Sequence, residues 1–178
     1  MGNVKIKDKE FALLIPEAKI LKQIDRVADE INKDLADKNP LFVCVLNGAF
    51  MFASDLMKRV HISSEISFVK LSSYQGTSST GSLKELIGLN EDIKGRNVVI
   101  VEDIVDTGYT MVSILEQLKK KNAGDVRIAT LLHKPNALKV DLKLDYVAME
   151  IPNDFILGYG LDYDGYGRNL ADIYKIID

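Results

Sequence analysis

The sequence predicts an α/β protein with a mostly parallel central sheet flanked by helices. Three observations predict it. Strand-length runs dominated by apolar residues recur at Leu41 to Leu46, Val98 to Val101 and Val126 to Leu132. Such runs, apolar at successive positions, suit strands buried on both faces. Segments with apolar residues at helical spacing stand between them, and the alternation of the two kinds favours parallel pairing through crossovers.

Taken in order, Ile15-Pro16-Glu17 is a helix start, with proline in the first turn and an acid beside it. Leu21, Ile24, Ala28, Ile31 and Leu35 continue at helical spacing until Asn39-Pro40 ends the element. The run Leu41 to Leu46 breaks at Asn47-Gly48 and passes into a short helix from Phe50 to Lys58, with Phe50, Ala53, Leu56 and Met57 as its buried face. A strand follows at Ile66 to Leu71.

Ser72 to Ser82 is small, polar and rich in backbone freedom, which predicts a long surface loop of the kind that often serves as a lid. Gly76 to Ser82 superficially resembles a phosphate-cradling loop. Leu83 and Lys84 stand where its lysine and hydroxyl pair are needed, so the match fails.

The strand Val98 to Val101 then stops on the adjacent acids Glu102 and Asp103, which the centre of a buried sheet does not tolerate unpaired. Met111, Ile114, Leu115 and Leu118 give a helix that ends near Asn122-Ala123-Gly124 with lysines in its last turn. Val126 to Leu132 is a buried strand ending on His133-Lys134-Pro135. Tyr146 to Ile151 is another, and Ile173 to Ile177 adds an edge strand.

Composition narrows the function. The 178 residues suffice for a single domain with a real core, and 47% hydrophobic with 28% charged residues is ordinary for a soluble protein. A net charge of −3 gives no global field for nucleic acid or an anionic membrane. No apolar run approaches a membrane span and the start lacks a signal-peptide core, so a cytoplasmic protein is expected. The one cysteine, Cys44, sits in an apolar run and reads as a buried small hydrophobe. His61 and His133 lie apart, without zinc-ligand spacing.

The chemistry concentrates in Glu102-Asp103-Ile-Val-Asp106-Thr107-Gly108-Tyr109-Thr110. Gly108 permits a tight turn, and the following helix offers free N–H groups and a positive dipole end to a phosphate. Thr107 and Thr110 add hydroxyl donors. Glu102 and Asp103 repel a phosphate, so they are expected to face magnesium or ribose hydroxyls. The competing reading is a plain helix cap by Asp106 or Thr107 beside solvated acids.

These residues carry a resemblance. Val99 to Thr110 resembles the phosphoribosyl-pyrophosphate motif of the purine salvage phosphoribosyltransferases. Val45 to Ala49, Ser72-Ser73-Tyr74, Leu131 to Lys134, and Phe155 through Arg168 agree with it in order and approximate spacing. Together they are similar to the bacterial hypoxanthine (6-oxopurine) members of that family.

The resemblance implies the type I phosphoribosyltransferase fold: one domain with a core of about 17–150 and a small hood from about 1–16 and 151–178. It implies displacement of pyrophosphate from phosphoribosyl pyrophosphate by a 6-oxopurine base, with Mg2+ required, in a homodimer or homotetramer. Glu102 and Asp103 match the pair that holds the ribose hydroxyls and influences magnesium, and Asp162 matches a second magnesium contact. Asp106 to Thr110, Tyr109 included, match the 5′-phosphate cradle, although Tyr109 is assigned no chemistry of its own. Asp106 also matches the acceptor of the purine N7 proton.

Lys134 matches the donor to purine O6, and Phe155 the aromatic that stacks on the base. Ile156 and Asp162 match positions whose backbone reads the base edge. Leu46-Asn47-Gly48 and Arg168 match the pyrophosphate contacts. Position 47 is Asn where many relatives carry Lys, so its contact is expected through the backbone. Ser73 and Tyr74 match the lid's contact points. Rival readings are a guanine- or xanthine-preferring transferase and a non-catalytic regulator that senses phosphoribosyl pyrophosphate on the same scaffold.

Overall fold

The computed structural model describes residues 2–74 and 83–177. Its elements run β1 (Val4–Ile6), β2 (Lys9–Ile15), α1 (Glu17–Asp34), β3 (Leu41–Val45), α2 (Phe50–Met57), β4 (Glu65–Tyr74), β5 (Leu83–Ile87), β6 (Val98–Val105), α3 (Tyr109–Lys120), β7 (Val126–His133), β8 (Tyr146–Glu150), β9 (Ile156–Leu157) and β10 (Ile173–Ile176). Six strands form the main sheet in the order β5-β4-β3-β6-β7-β8, all parallel to their neighbours except β5. The mostly parallel α/β class is what the alternation predicted.

Strand alternation divides the core into two faces. Phe42, Cys44, Val99 and Val101 point to the side covered by α1 and α2, where Ile20, Ile24, Val27, Ile31, Phe52 and Leu56 pack. Leu41, Val43, Val98 and Ile100 point to the other side, against Met111, Ile114 and Leu118 of α3. An isolated helix as short as α2 is marginal in water, so burial of Phe52, Ala53 and Leu56 holds it in place. Phe50, expected in that buried face, is 40% exposed; the helix presents Phe52 instead.

Four expectations are corrected. β6 does not stop at Val101 but runs through both acids to Val105. The ladder to β7 continues (Glu102↔Thr130, Ile104↔Leu132, Val105↔His133), whereas pairing with β3 ends at Cys44↔Val101. One edge of the acidic segment therefore stays bonded while the other opens onto a cleft. Secondly, β4 reaches Tyr74 and pairs with β5 (Ser73↔Lys84, Tyr74↔Leu83), so Ser72 to Tyr74 is strand, not loop. The rest of the expected lid, 75–82, lies outside the described residues.

Thirdly, β10 is an interior strand of a second, four-stranded sheet ordered β1-β2-β10-β9. It pairs β2 on one side and β9 on the other. The fourth is an omission: that sheet draws β1 and β2 from the opening residues, to which sequence reading assigned no strand. Phe11, Leu157 and Tyr174 form its own small core.

Candidate active site

Three chain segments meet at the carboxyl ends of β3 and β6, the place where open α/β sheets bind ligands. β3 leaves the sheet after Val45, and the Leu46–Asn47 peptide is cis. The Leu46 N–H still donates to the Val69 carbonyl at 2.8 Å, anchoring the turn to β4. At Gly48 the chain runs so close to β6 that a Cβ would collide with the Asp103 carboxylate. Glycine is needed here for approach rather than for an unusual φ.

β6 contributes the second segment. Glu102 is buried and Asp103 is half-buried. The Asp103 N–H donates to Glu102 Oε1 at 3.0 Å, and the Ile104 N–H donates to Asp103 Oδ1 at 2.7 Å. Burial pushes Glu102 well above the usual carboxylate range, and the charge of Asp103 adds to the rise. Burial raises Asp103 too, against the pull of its hydrogen bonds and the Arg168 charge. Two neighbouring carboxylates in low dielectric do not both ionise cheaply. A cation or a hydroxyl-bearing ligand between them would relieve that cost.

Beyond Val105 the chain turns through Asp106 and Thr107 to Gly108, whose φ of 87° makes it the left-handed N-cap of α3. Among the described residues no side chain caps this helix, so the plain-cap reading of Asp106 or Thr107 is not what forms. Its first-turn N–H groups stay available to an anion.

A cleft of about 460 Å³ joins these pieces, lined by Leu46 to Gly48, residues 102–108, Thr110, Asp162 and Arg168 among others. A neighbouring cavity of about 420 Å³ shares Asp106 and Thr107 with it, and adds Lys134, residues 136–139 and Asn153. Lys134 follows β7 directly and its N–H donates to the Val105 carbonyl at 3.0 Å, which ties it to the end of β6. Its Nζ stands 3.6 Å from Asp106 Oδ2, with the lysine side chain 11% exposed.

Arg168 is fixed from the other side of the cleft. Its Nη1 donates to the Gly160 carbonyl at 2.8 Å, and its Nη2 pairs with Asp162 Oδ1 at 2.7 Å. Asp162 Oδ2 also accepts the Gly165 N–H at 2.7 Å.

Other expected residues stand apart. Phe155 is 46% exposed and lines neither cavity; its ring lies 6.4 Å from Phe11 and 5.9 Å from Tyr163, centre to centre. Ile156 is buried in β9, and Tyr109 is 58% exposed at the start of α3. The side chains of Ser73 and Tyr74 lie outside the described residues. Among the described residues no three His, Cys, Asp or Glu side chains gather to hold a metal alone, so Glu102, Asp103 and Asp162 form no protein-only cage. Paired buried carboxylates do fit magnesium, which commonly takes one or two carboxylates and completes its shell with water and phosphate oxygens.

Sequence reading missed Lys139, Asn136 and Asn153 in the second cavity. It also missed Leu138 and Val140, against which a Cβ on Gly108 would press. None carries a local motif. A backbone bond from the Lys139 N–H to the Thr107 carbonyl, 3.0 Å, helps hold residues 136–140 against the turn before α3.

The chain matches the phosphoribosyl transferase domain model over residues 15–164. It is 42% identical to the hypoxanthine-guanine phosphoribosyltransferase of Streptococcus thermophilus over 159 residues, 89% of this chain and 88% of that one. Among solved structures it resembles a hypoxanthine phosphoribosyltransferase from Staphylococcus aureus, with TM-score 0.82 and 36% identity over 93% of this chain and 90% of that one. It also resembles a hypoxanthine-guanine phosphoribosyltransferase from Bacillus anthracis, with TM-score 0.82 and 34% identity over 97% and 99% of the two chains.

Proposed function

We propose that this chain, which belongs to the phosphoribosyltransferase family, transfers the 5-phosphoribosyl group of phosphoribosyl pyrophosphate to hypoxanthine and guanine in purine salvage. Pyrophosphate leaves, and IMP or GMP forms. The observation that carries this reading is the Lys134–Asp106 pair beside the α3 cradle. A 6-oxopurine that attacks through N9 presents N7–H and O6 on one edge. A cation and a carboxylate side by side match that edge: Lys134 donates to O6 while Asp106 accepts from N7. A 6-aminopurine offers hydrogens where the lysine needs an acceptor.

The remaining tasks divide among the other groups. Backbone N–H groups at the start of α3, with Thr107 and Thr110, hold the 5′-phosphate. Glu102 and Asp103 take the ribose hydroxyls. Leu46 to Gly48 and Arg168 hold the pyrophosphate, Arg168 as a planar cationic fork. As the C1–O bond lengthens, its electron pair departs with pyrophosphate and the ribose gains positive character. N9 then forms the new bond while the N7 proton passes to Asp106. Catalysis comes from alignment and from charge placed where charge develops. Glu102, Asp103 and Asp162 are the residues that would hold Mg2+, which when bound offsets the negative charge of pyrophosphate.

Phe155 and Ile156 belong to this reading as the base-stacking and edge-reading positions, and Ser73 and Tyr74 as the lid's contacts. The small sheet, with the segments around it, acts as a hood on the core. Among the described residues no helix is long and apolar enough to cross a membrane, and we place the enzyme in the cytoplasm. The same reading makes it a homodimer or homotetramer. Support comes from an apolar groove where Phe50 and Phe68, 40% and 48% exposed, stand with Met57 and Ile66, a surface suited to a second copy. Sedimentation equilibrium measures the assembly.

One assay tests the reaction: hypoxanthine, guanine, xanthine and adenine in parallel, each with phosphoribosyl pyrophosphate and Mg2+. Turnover of hypoxanthine and guanine well above adenine is expected. Adenine as the best substrate would sink the Lys134 argument, and no turnover of any base would favour the regulator.

A further inference from the structure

We propose that the Tyr159–Asp55 hydrogen bond is the positioning device that keeps Arg168 aligned with the pyrophosphate loop. The proposal rests on the functional reading above and adds to it a pair of residues that lies outside the cleft lining.

Tyr159 sits in a run of three positive φ values: Gly158 at 99°, Tyr159 at 48° and Gly160 at 98°. The outer two are glycines, which adopt this region freely; a tyrosine does so only when its surroundings hold it there. Tyr159 is 2% exposed, and its N–H donates to the Leu170 carbonyl at 2.7 Å. Its hydroxyl donates to the Asp55 carboxylate on α2. Asp55 also pairs with Lys58 at 2.6 Å and stands 4.0 Å from Arg59, which in turn bonds Asp25 of α1. Burial raises the Asp55 carboxyl, but the hydrogen bonds from Lys58 and Tyr159 outweigh it and hold the group below its ordinary value. The acceptor is thus an anion with three donors or cations around it.

The run matters because both ends of the grip hang from it. Gly160 packs so closely on the Gly48 carbonyl that a Cβ there would collide. The Gly160 carbonyl accepts from Arg168 Nη1 at 2.8 Å, and the Gly160 N–H donates to the Arg168 carbonyl at 2.9 Å. Gly48 opens the turn from which α2, and hence Asp55, proceeds. Two of the contacts that join the two segments are Gly48 with Gly160 and Asp55 with Tyr159. The directional Tyr159–Asp55 bond restrains rotation about the close Gly48–Gly160 approach. Removing the hydroxyl frees Arg168 to move relative to Gly48 without deleting any group that touches substrate.

The test compares wild type with Tyr159→Phe, and with Tyr146→Phe as a matched control. Tyr146 is another buried tyrosine; its hydroxyl accepts from Arg127 at 2.8 Å and donates to Asp34 at 3.1 Å, away from the cleft. KM is measured for each substrate, and pyrophosphate affinity by titration calorimetry. Tyr159→Phe is expected to weaken phosphoribosyl pyrophosphate KM and pyrophosphate affinity about tenfold, with hypoxanthine KM within about twofold. Asp55→Asn, which keeps an acceptor oxygen, is expected to fall nearer wild type than Asp55→Ala does.

Equal values for Tyr159→Phe and Tyr146→Phe overturn the proposal, as does an equal loss for both substrates that follows the drop in Tm. Should wild type turn over no base, the functional reading fails by itself. Pyrophosphate titration then decides: an unchanged affinity in Tyr159→Phe, or no binding in wild type, overturns the positioning role.

Discussion

Lys134 Nζ lies 3.6 Å from Asp106 Oδ2, across the boundary between the two cavities that share Asp106. At that separation the ion pair is too loose to count as a strong hydrogen bond. The two ends differ in exposure, 11% for the lysine side chain and 50% for the aspartate, so solvent screens the pair and its worth to stability is small. Its importance is positional. Both groups follow the ends of neighbouring parallel strands and line the second cavity, which is where the proposed purine edge would enter.

Asp106→Asn keeps the size and shape of the side chain and removes the proton acceptor. Turnover is expected to fall by roughly 10²–10⁴, the usual range for a lost general base. The proposed phosphate cradle draws on the backbone of α3, so the KM for phosphoribosyl pyrophosphate should move little. Steady-state kinetics with both substrates measures this. Full activity in the variant would remove Asp106 from the chemistry.

Lys134→Met keeps the length of the chain and deletes the donor. Loss of a charged hydrogen bond to O6 should lower kcat/KM for hypoxanthine roughly ten- to hundredfold. Adenine should be affected far less, since it never used that bond, so the preference between the two bases narrows. An unchanged ratio of the two kcat/KM values would place O6 recognition elsewhere.

Glu102→Gln separates stability from function. Burial, and then the Asp103 charge, raise the Glu102 carboxyl, so the folded protein binds its proton more tightly than the unfolded chain. Such a group contributes fully at pH below the ordinary carboxylate value, and the contribution is lost as pH rises through the folded value. Ligand-free wild type should therefore lose stability as pH climbs out of the acidic range, and the glutamine variant, which keeps only the raised Asp103, should lose less. At pH 8 the variant should melt higher, by about 2–4 °C per kcal/mol recovered, with the gap closing near pH 4. Its affinity for phosphoribosyl pyrophosphate should drop. Parallel Tm-against-pH curves in the two proteins would refute the assignment.

The segment from Val98 to Thr110 was legible because its signals are local: an apolar strand, acids, a glycine and a helix lie within one stretch. What failed there was the strand's end. Hydropathy stops a strand at Glu102, whereas the bonded neighbour β7 carries it on to Val105. The resemblance implied a hood from the two chain ends, but its pairings, such as Ile173 with Ile15, were not legible because they join distant parts of the chain. Lys134 follows a buried strand, but it was the family resemblance that singled it out. Lys139 and the Tyr159–Asp55 bond carry no local pattern, and only the folded chain brings them to the site.

Cys44 tests the buried environment beside the acids. It pairs with Val101 across β3 and β6 and has no exposed surface. Burial, then the charges of Glu102 and Asp103, push its thiol up to about 12. Since the thiolate is the reactive form, the folded protein should resist iodoacetamide at pH 8 and react fully once unfolded. Labelling followed by mass spectrometry reads this directly, and rapid modification of the native protein would contradict the burial of β3.

Gly48→Ala probes the closest approach in the site. The new Cβ meets the Asp103 carboxylate, and Asp103 is pinned by the Ile104 N–H, so one of the two must give. With Leu46 to Gly48 holding pyrophosphate and Asp103 the ribose, as proposed, displacement of either would misalign the reacting groups, and a shift of about 1 Å can cost on the order of 10² in rate. A steric cause makes a further demand. Adding Asp103→Ala to Gly48→Ala removes the obstacle, so the double variant should be more stable than the sum of the single changes predicts. A coupling of about 0.5–3 kcal/mol is expected from residues in direct contact. Activity should stay lost, because the acid itself is gone. Additive stabilities from denaturant unfolding of the four proteins would show that Gly48 is needed for something other than room beside Asp103.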